Sequence, residues 1–530
     1  MPDLLLIHPP AVKPCEPPLG VACLAASLVA RGIPAQVIDA NLEGYLHLLG
    51  AGPAGGTAAR ALAFLRSPAA AESFPRYVTA AKQLDRVLAG LRGESGEERV
   101  TLGDYVHEGL SPFNPDDLAR IAAGGATTPF GGYFRDRLLP RIVGAAPRIV
   151  GLSVNFRHQL LPAFELAGLV RRALPGVRIV GGGGMLSSWG RTLRESGLRL
   201  PAFDAVVAGA GEEALARLAG TGDWSGGQPV TPGGGTPCFE PDFAFADSGG
   251  YLSPFPVLPV AASRGCYWRR CAFCPEAATP THDFACIEAA RFPDLLLSLA
   301  ARHGVAHFHV TDNAIPVNVL RVVAARAGEL SHLRWHGFVR FEEALAEPGL
   351  ADALARAGCA MLQLGLESGS QPLLDRMGKG TRLEVASAVL SNLARAGIAT
   401  CVYVMVGMPG ETEDDALQTL AFLEAHAPSI GFLNVALMNL PRDSPFLESP
   451  EAHGIRDAEL FSEREPLGLY RAYEPSRGWG RAEARRFLSK RMLGSPAVRA
   501  IVNRTPPYFT SNHAFFFPPI SRRSPSAGRG

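Results

Sequence analysis

Three of the nine cysteines fall inside nine residues, in the run Ser263-Arg264-Gly265-Cys266-Tyr267-Trp268-Arg269-Arg270-Cys271-Ala272-Phe273-Cys274. Thiolates this close can share one soft metal centre, and iron–sulfur clusters are held by such cysteine runs. Two other chemistries use cysteines. A structural zinc site needs a fourth ligand, which Cys286 or His282 could supply. A disulfide framework needs an oxidising compartment and usually a small domain. The stretch 254–263 before the run reads as a strand, with Val257, Leu258, Val260 and Ala261 as its apolar positions. The cysteines therefore sit on a loop leaving a strand end, where a barrel-like α/β domain keeps its chemistry.

The elements that must position this loop follow it. Helical patterns are expected at 284–303, 318–330, 350–357, 382–396 and 414–426, and strands at 307–311, 334–339, 360–366, 398–406 and 430–437. With the strand before the cysteines this makes six βα steps, a partial TIM-type (β/α)6 barrel open on one side. Polar residues at the strand ends become candidates: Asp312 and Asn313, Arg340, and Glu367 within Gly365-Leu366-Glu367-Ser368-Gly369-Ser370. Glu367 could instead be an acidic cap for the helix after Ser370. Gly378-Lys379-Gly380-Thr381 imitates a phosphate loop but lacks the glycine five residues before the lysine, and reads as a turn. Cys359 and Cys401 read as core residues.

The amino-terminal half also alternates, with strands expected at 3–8, 35–39, 148–154, 177–180 and 203–208 and helices at 19–31 and 160–174. That pattern predicts a doubly wound, Rossmann-like α/β sheet, whose ligands bind beyond the strand carboxyl ends. A folded insert at about 43–147 interrupts it, with helices at 77–91 and 115–123, the second capped by Asn114. Gly209-x-Gly211-x-x-Ala214 imitates a dinucleotide fingerprint, but a true one opens the first βα unit. The expected domains are 1–245, 254–450, and a carboxy-terminal extension over 451–530 whose tail from Ser521 is rich in Ser, Arg, Pro and Gly and reads as disordered.

The Cys-x4-Cys-x2-Cys loop, with Phe273 before its last cysteine, resembles the radical S-adenosylmethionine (SAM) superfamily. The usual loop there is Cys-x3-Cys-x2-Cys, so the first gap here is one residue longer. The resemblance implies that Cys266, Cys271 and Cys274 bind three irons of a [4Fe–4S] cluster, leaving the fourth iron to SAM. Gly365 to Ser370 and Val406-Gly407-Met408-Pro409-Gly410-Glu411-Thr412 resemble two further motifs of the cobalamin-type members. They imply SAM contacts at Phe273, Glu367, Ser368, Gly369, Gly407 and Gly410, with Glu367 facing the SAM ammonium. Arg340 is the candidate for its carboxylate, which a guanidinium matches in a bidentate way. Leu5 to Pro10, Pro18-Leu19-Gly20, Gly151-Leu152-Ser153, Gly181 to Gly184 and 203–213 resemble the cobalamin-binding domain that precedes many such barrels. That implies corrin contacts at Gly151, Ser153, Gly182, Gly183 and Gly209. The Asp-x-His-x-x-Gly motif that supplies a histidine to cobalt is missing, which implies cobalamin without a protein histidine, or a sheet that has lost the cofactor.

The resemblance thus implies a cobalamin-dependent radical SAM enzyme of the class B methyltransferase type, which C-methylates an unactivated carbon. Radical cyclisation, oxidation or rearrangement is the alternative enzyme. A zinc- or iron–sulfur-binding protein without turnover is the alternative outside enzymes. No particular side chain reads as a catalytic acid, base or nucleophile. The implied partners are a reductant such as flavodoxin or ferredoxin and a small-molecule or peptide substrate.

Composition limits the remaining classes. A net charge of +1 gives no reason to expect nucleic acid. Hydrophobic residues at 47% supply sizeable cores, yet no apolar run is long enough to span a bilayer. The start Met1-Pro2-Asp3 lacks the cationic region of a signal peptide, and the uneven cysteines suit a reduced, cytoplasmic setting. After anaerobic reconstitution, the triple Cys266, Cys271 and Cys274 to Ala variant should show no cluster absorption, and Cys286→Ala should keep it. A full iron and sulfide complement in the triple variant would defeat the assignment.

Overall fold

The computed structural model describes residues 3–50, 55–91, 96–200, 202–221, 224, 229–230, 237–278 and 283–518. His282 and the tail from Ser521 lie outside the described residues. By compactness the chain forms two units: Met1–Pro259 with Ser462–Leu467, and Val260–Phe461 with Gly468–Gly530.

In the first unit the strands are β1 (Leu4–Ile7), β2 (Ala35–Ile38), β3 (Ile149–Ser153), β4 (Arg178–Gly182), β5 (Ala205–Val207) and β6 (Pro229–Val230), in the order β2-β1-β3-β4-β5-β6. All pairings are parallel; Leu4 lies between Ala35 and Ile149. Strands buried on both faces need continuous apolar runs, and Leu4–Ile7 is one. Leu4, Leu6, Val21, Leu28, Ile149, Val180 and Val207 share one core. Strand order reverses between β1 and β3, and ligands of such sheets bind at that switch point.

The insert is mostly helical, but Glu98–Val100 and Tyr105–His107 form an antiparallel hairpin that the sequence reading does not include. Three-residue strands are too short to show a period. Asn114 caps Pro115–Ala122 as expected, its Oδ1 accepting from Asp116 N at 2.8 Å.

The barrel strands β7 (Val257–Val260, at whose last residue the second unit begins), β8 (His307–Val310), β9 (Arg334–Val339), β10 (Cys359–Glu367), β11 (Ala399–Val406) and β12 (Phe432–Leu437) follow one another in sequential order across a six-stranded sheet. The pairs from β8 to β12 are parallel. The helix expected from 284 begins only at Arg291, because Ala285–Cys286 pairs with Ser263–Arg264 instead. In the carboxy-terminal part, Tyr470–Pro475 pairs with Leu440–Pro441 on one side and Ile455–Leu460 on the other.

A ring stack joins the barrel strands to the carboxy-terminal segment. His309 and His336 stack at 4.4 Å, and Phe515 covers the other face of His336 at 4.4 Å. His336 is fully buried; Gln363 Nε2 lies 3.4 Å from its Nδ1. Burial, then the neighbouring His309, His513 and His307, hold its pKa well below 6.5. A histidine kept neutral in the fold protonates near 6.5 once unfolded, so falling pH favours the unfolded chain. His336→Phe preserves the stack without the titration. Its melting temperature relative to the parent should therefore rise as pH is lowered from about 7.5 to about 5.5. A pH-independent difference would show that burial does not hold the imidazole neutral.

Candidate functional site

The cysteine loop is anchored at its base by Asp312. Its carboxylate accepts from Ala262 N at 2.9 Å and from Ser263 Oγ at 2.5 Å, and burial raises its pKa to about 6. Asp312 is thus engaged in holding the loop, while Asn313 beside it is exposed. Arg269, in the longer first gap, takes φ +49. Trp268 Nε1 donates to Gly378 O at 2.8 Å, and Ala272 N donates to Met377 O at 2.9 Å. Two carbonyls of one turn therefore hold the loop on both sides of Cys271.

That turn is the one that imitates a phosphate loop. Gly378 and Gly380 have φ +64 and +67, and a Cβ on them would overlap the Arg270 carbonyl oxygen and the Trp268 ring respectively. Only bare backbone can both take this conformation without strain and lie this close. Lys379 stands between them. Its Nζ donates to Glu367 Oε1 at 2.8 Å and lies 5.6 Å from the centre of the Phe273 ring. Both partners of this ion pair are buried.

Glu367 ends β10 at φ +65, next to a register shift against β11. It is not the cap of the helix that follows. Ser370 is, its hydroxyl accepting from Leu373 N. Arg340 is buried as well. It lies 4.2 Å from the Trp268 ring centre, donates from Nη2 to Lys379 O at 2.5 Å and from Nε to Glu342 Oε1 at 3.2 Å. Tyr267 donates to the same Glu342 oxygen at 2.7 Å. Arg340 therefore clamps the lysine turn to the cysteine loop.

The structure brings together the cysteine loop, Phe273, Arg340 and Glu367. Ser368 and Gly369 turn instead toward the helix Glu413–Ala425, where Ser368 Oγ lies 3.0 Å from Thr419 Oγ1 and Gly369 N donates to the same hydroxyl at 2.9 Å. Gly407 and Gly410 belong to the loop after β11. Glu411 closes it by accepting from Gly407 N and from Met408 N at 2.9 Å, and burial raises the Glu411 pKa to about 7. A cavity of about 50 Å³ adjoins Gly407, lined by Met438, Tyr473 and Arg481 among others. Lys379, Trp268 and Glu342 are missed by sequence reasoning. The Gly-Lys-Gly pattern was the available signal.

None of the three loop cysteines is in a disulfide. Burial pushes the Cys271 thiol pKa up, and Lys379 and then Arg340 draw it back. Among the described residues no three His, Cys, Asp or Glu side chains are grouped so as to hold a single metal ion.

In the first unit Ser153 and Gly182 pair directly at the carboxyl edge, Gly183 and Gly209 follow their strands, and Gly151 lies further inside beside Leu6 and Val180. Gln159, fully buried, staples the switch point: it donates to Pro9 O at 2.7 Å and accepts from Asn155 N at 2.7 Å. His8 is buried, with its pKa lowered to about 4 by burial, and His158 Nδ1 lies 2.6 Å from Asp104 Oδ1.

A cysteine loop on the first strand of a parallel six-stranded barrel defines a class, and residues 260–423 match the Radical SAM superfamily. This part of the chain is a radical SAM domain. Bacteriochlorophyllide d C-12(1)-methyltransferase of Chlorobaculum tepidum is 24% identical over 274 residues, 48% of this chain and 58% of that protein. The match thus spans little more than half of that relative's length. The fold is shared with two solved structures. One is the radical SAM methyltransferase TsrM from Kitasatospora setae, solved with tryptophan substrate and a SAM analogue (TM-score 0.53, 19% identity, 94% of this chain and 88% of that one). The other is the cobalamin-dependent SAM radical enzyme OxsB with aqua-cobalamin (TM-score 0.57, 15% identity, 90% and 64%).

Glu367 and Lys379 compensate each other out of water. Removing one charge of such a pair strands the other and costs about 3–5 kcal/mol. Glu367→Gln and Lys379→Met should each destabilise the barrel by that order, and the double variant should lose clearly less than the sum. Additive losses in denaturant unfolding would show that the two are not coupled.

Proposed function

We propose that the chain is a cobalamin-dependent radical SAM enzyme that methylates an unactivated carbon. The observation that carries this reading is the loop bearing Cys266, Cys271 and Cys274, built against buried cations at the carboxyl end of a barrel. The donor set suits a [4Fe–4S] cluster: three cysteines on one loop, none in a disulfide, with the Lys379 and Arg340 charges near Cys271. The carboxyl edge of the first unit suits a corrinoid held by backbone and small residues, with Gly151, Ser153, Gly182, Gly183 and Gly209 on its strands and turns.

When bound, the cluster with SAM supplies a 5′-deoxyadenosyl radical, and cobalamin supplies the methyl group. The chain's own part is to bind and to orient. Glu367 receives the SAM ammonium. Gly407 and Gly410, on the loop braced by Glu411, let backbone approach the nucleoside. An external low-potential donor of the flavodoxin or ferredoxin type supplies the electron, and the substrate is a small molecule or peptide. Among the described residues no helix is long and apolar enough to cross a membrane, and we place the enzyme in the cytoplasm.

Reconstituted protein with SAM and a reductant should release 5′-deoxyadenosine. It should also bind hydroxocobalamin, and its cob(II)alamin spectrum should show no nitrogen splitting from a histidine. Binding of zinc with no deoxyadenosine would overturn the enzyme reading, and a folded chain that takes up no corrinoid would overturn the cobalamin part.

A further inference from the structure

The local structure around Lys379 is shaped to hold it. Two left-handed glycines flank it, and each would collide with the cysteine loop if it carried a side chain. Arg340 holds its carbonyl. Gly365 lies where a Cβ would meet both Lys379 Nζ and Glu367 Oε1, so β10 is bare where the ion pair passes. Glu367 itself sits at φ +65, a conformation that a non-glycine residue keeps only where its surroundings enforce it. The result is a buried ammonium 2.8 Å from a carboxylate and 5.6 Å from the centre of the ring between Cys271 and Cys274.

We infer that Lys379 is a charge-tuning residue of the cluster site, and that Glu367 couples SAM binding to cluster reduction by exchanging Lys379 for the SAM ammonium. The inference rests on the radical SAM reading above. Its physical basis is simple. Reduction delivers one electron from the external low-potential donor to the cluster; no bond forms or breaks, and the site gains one negative charge. A buried ammonium beside the cysteine loop stabilises that charge, because interactions are strong where water is excluded. While Lys379 is paired with Glu367, the carboxylate cancels much of this effect. Once Glu367 holds the SAM ammonium, the Lys379 charge faces the cysteines uncompensated. By linkage, whatever SAM binding adds to reduction, reduction must add to SAM affinity.

The test is the midpoint potential of the reconstituted cluster, followed by electron paramagnetic resonance in a redox titration. It is run with and without a SAM analogue that is not cleaved. In the parent chain the analogue should move the midpoint to more positive values. Lys379→Met should give a more negative midpoint and abolish the shift, and Lys379→Arg should restore both in part. Glu367→Gln should give a more positive midpoint without the analogue, with little further shift on adding it. The double Glu367→Gln/Lys379→Met variant leaves no buried charge unpaired and serves if a single variant does not fold; it too should lose the shift. An unchanged midpoint in Lys379→Met, or a full analogue-dependent shift in the double variant, overturns the inference while leaving the functional reading intact. A parent chain that assembles no cluster overturns the functional reading itself.

Discussion

Everything around the cysteines depends on keeping one ammonium dry. A lysine head group buried with no negative charge near it would lose its proton or leave the interior. Lys379 stays because Glu367 is 2.8 Å away. That requirement accounts for features that otherwise look unrelated: the bare Gly365, the left-handed Glu367 at the strand end, and the two glycines of the lysine turn. The turn in turn offers the carbonyls of Met377 and Gly378 to the cysteine loop. Placing the charge and placing the loop are one structural act.

Carboxylates serve the surrounding scaffold in a second way. Asp312 and Glu411 each accept from backbone N–H groups of the loop they hold, at the base of the cysteine run and after β11. Burial raises both pKa values, to about 6 and about 7. The hydrogen bonds they accept favour the charged form and limit that rise.

The first unit uses neutral groups for a comparable purpose. Gln159 bridges the two loops at the switch point, meeting Pro9 with its amide nitrogen and Asn155 with its oxygen. An uncharged staple suits a buried position, since a buried charge there would need its own partner. His8 is kept neutral beside it by burial.

Much of this architecture was legible in the chain. Long apolar runs such as Leu4–Ile7 and the regular alternation after Cys274 announce parallel strands with crossover helices, because a strand buried on both faces has few other compositions. The cysteine run marked a candidate metal loop, and the family resemblance, not the spacing alone, narrowed its chemistry. Short pairings were not legible: the 98–107 hairpin and the 285–286 ladder carry too few residues for a period. The partners of Lys379 were not legible either. Glu367 is twelve residues away and Phe273 lies on another loop. A Gly-Lys-Gly turn in sequence says only that the backbone bends. Whether its lysine points to water or to a buried carboxylate depends on which strand end lies opposite, and only the tertiary structure decides that.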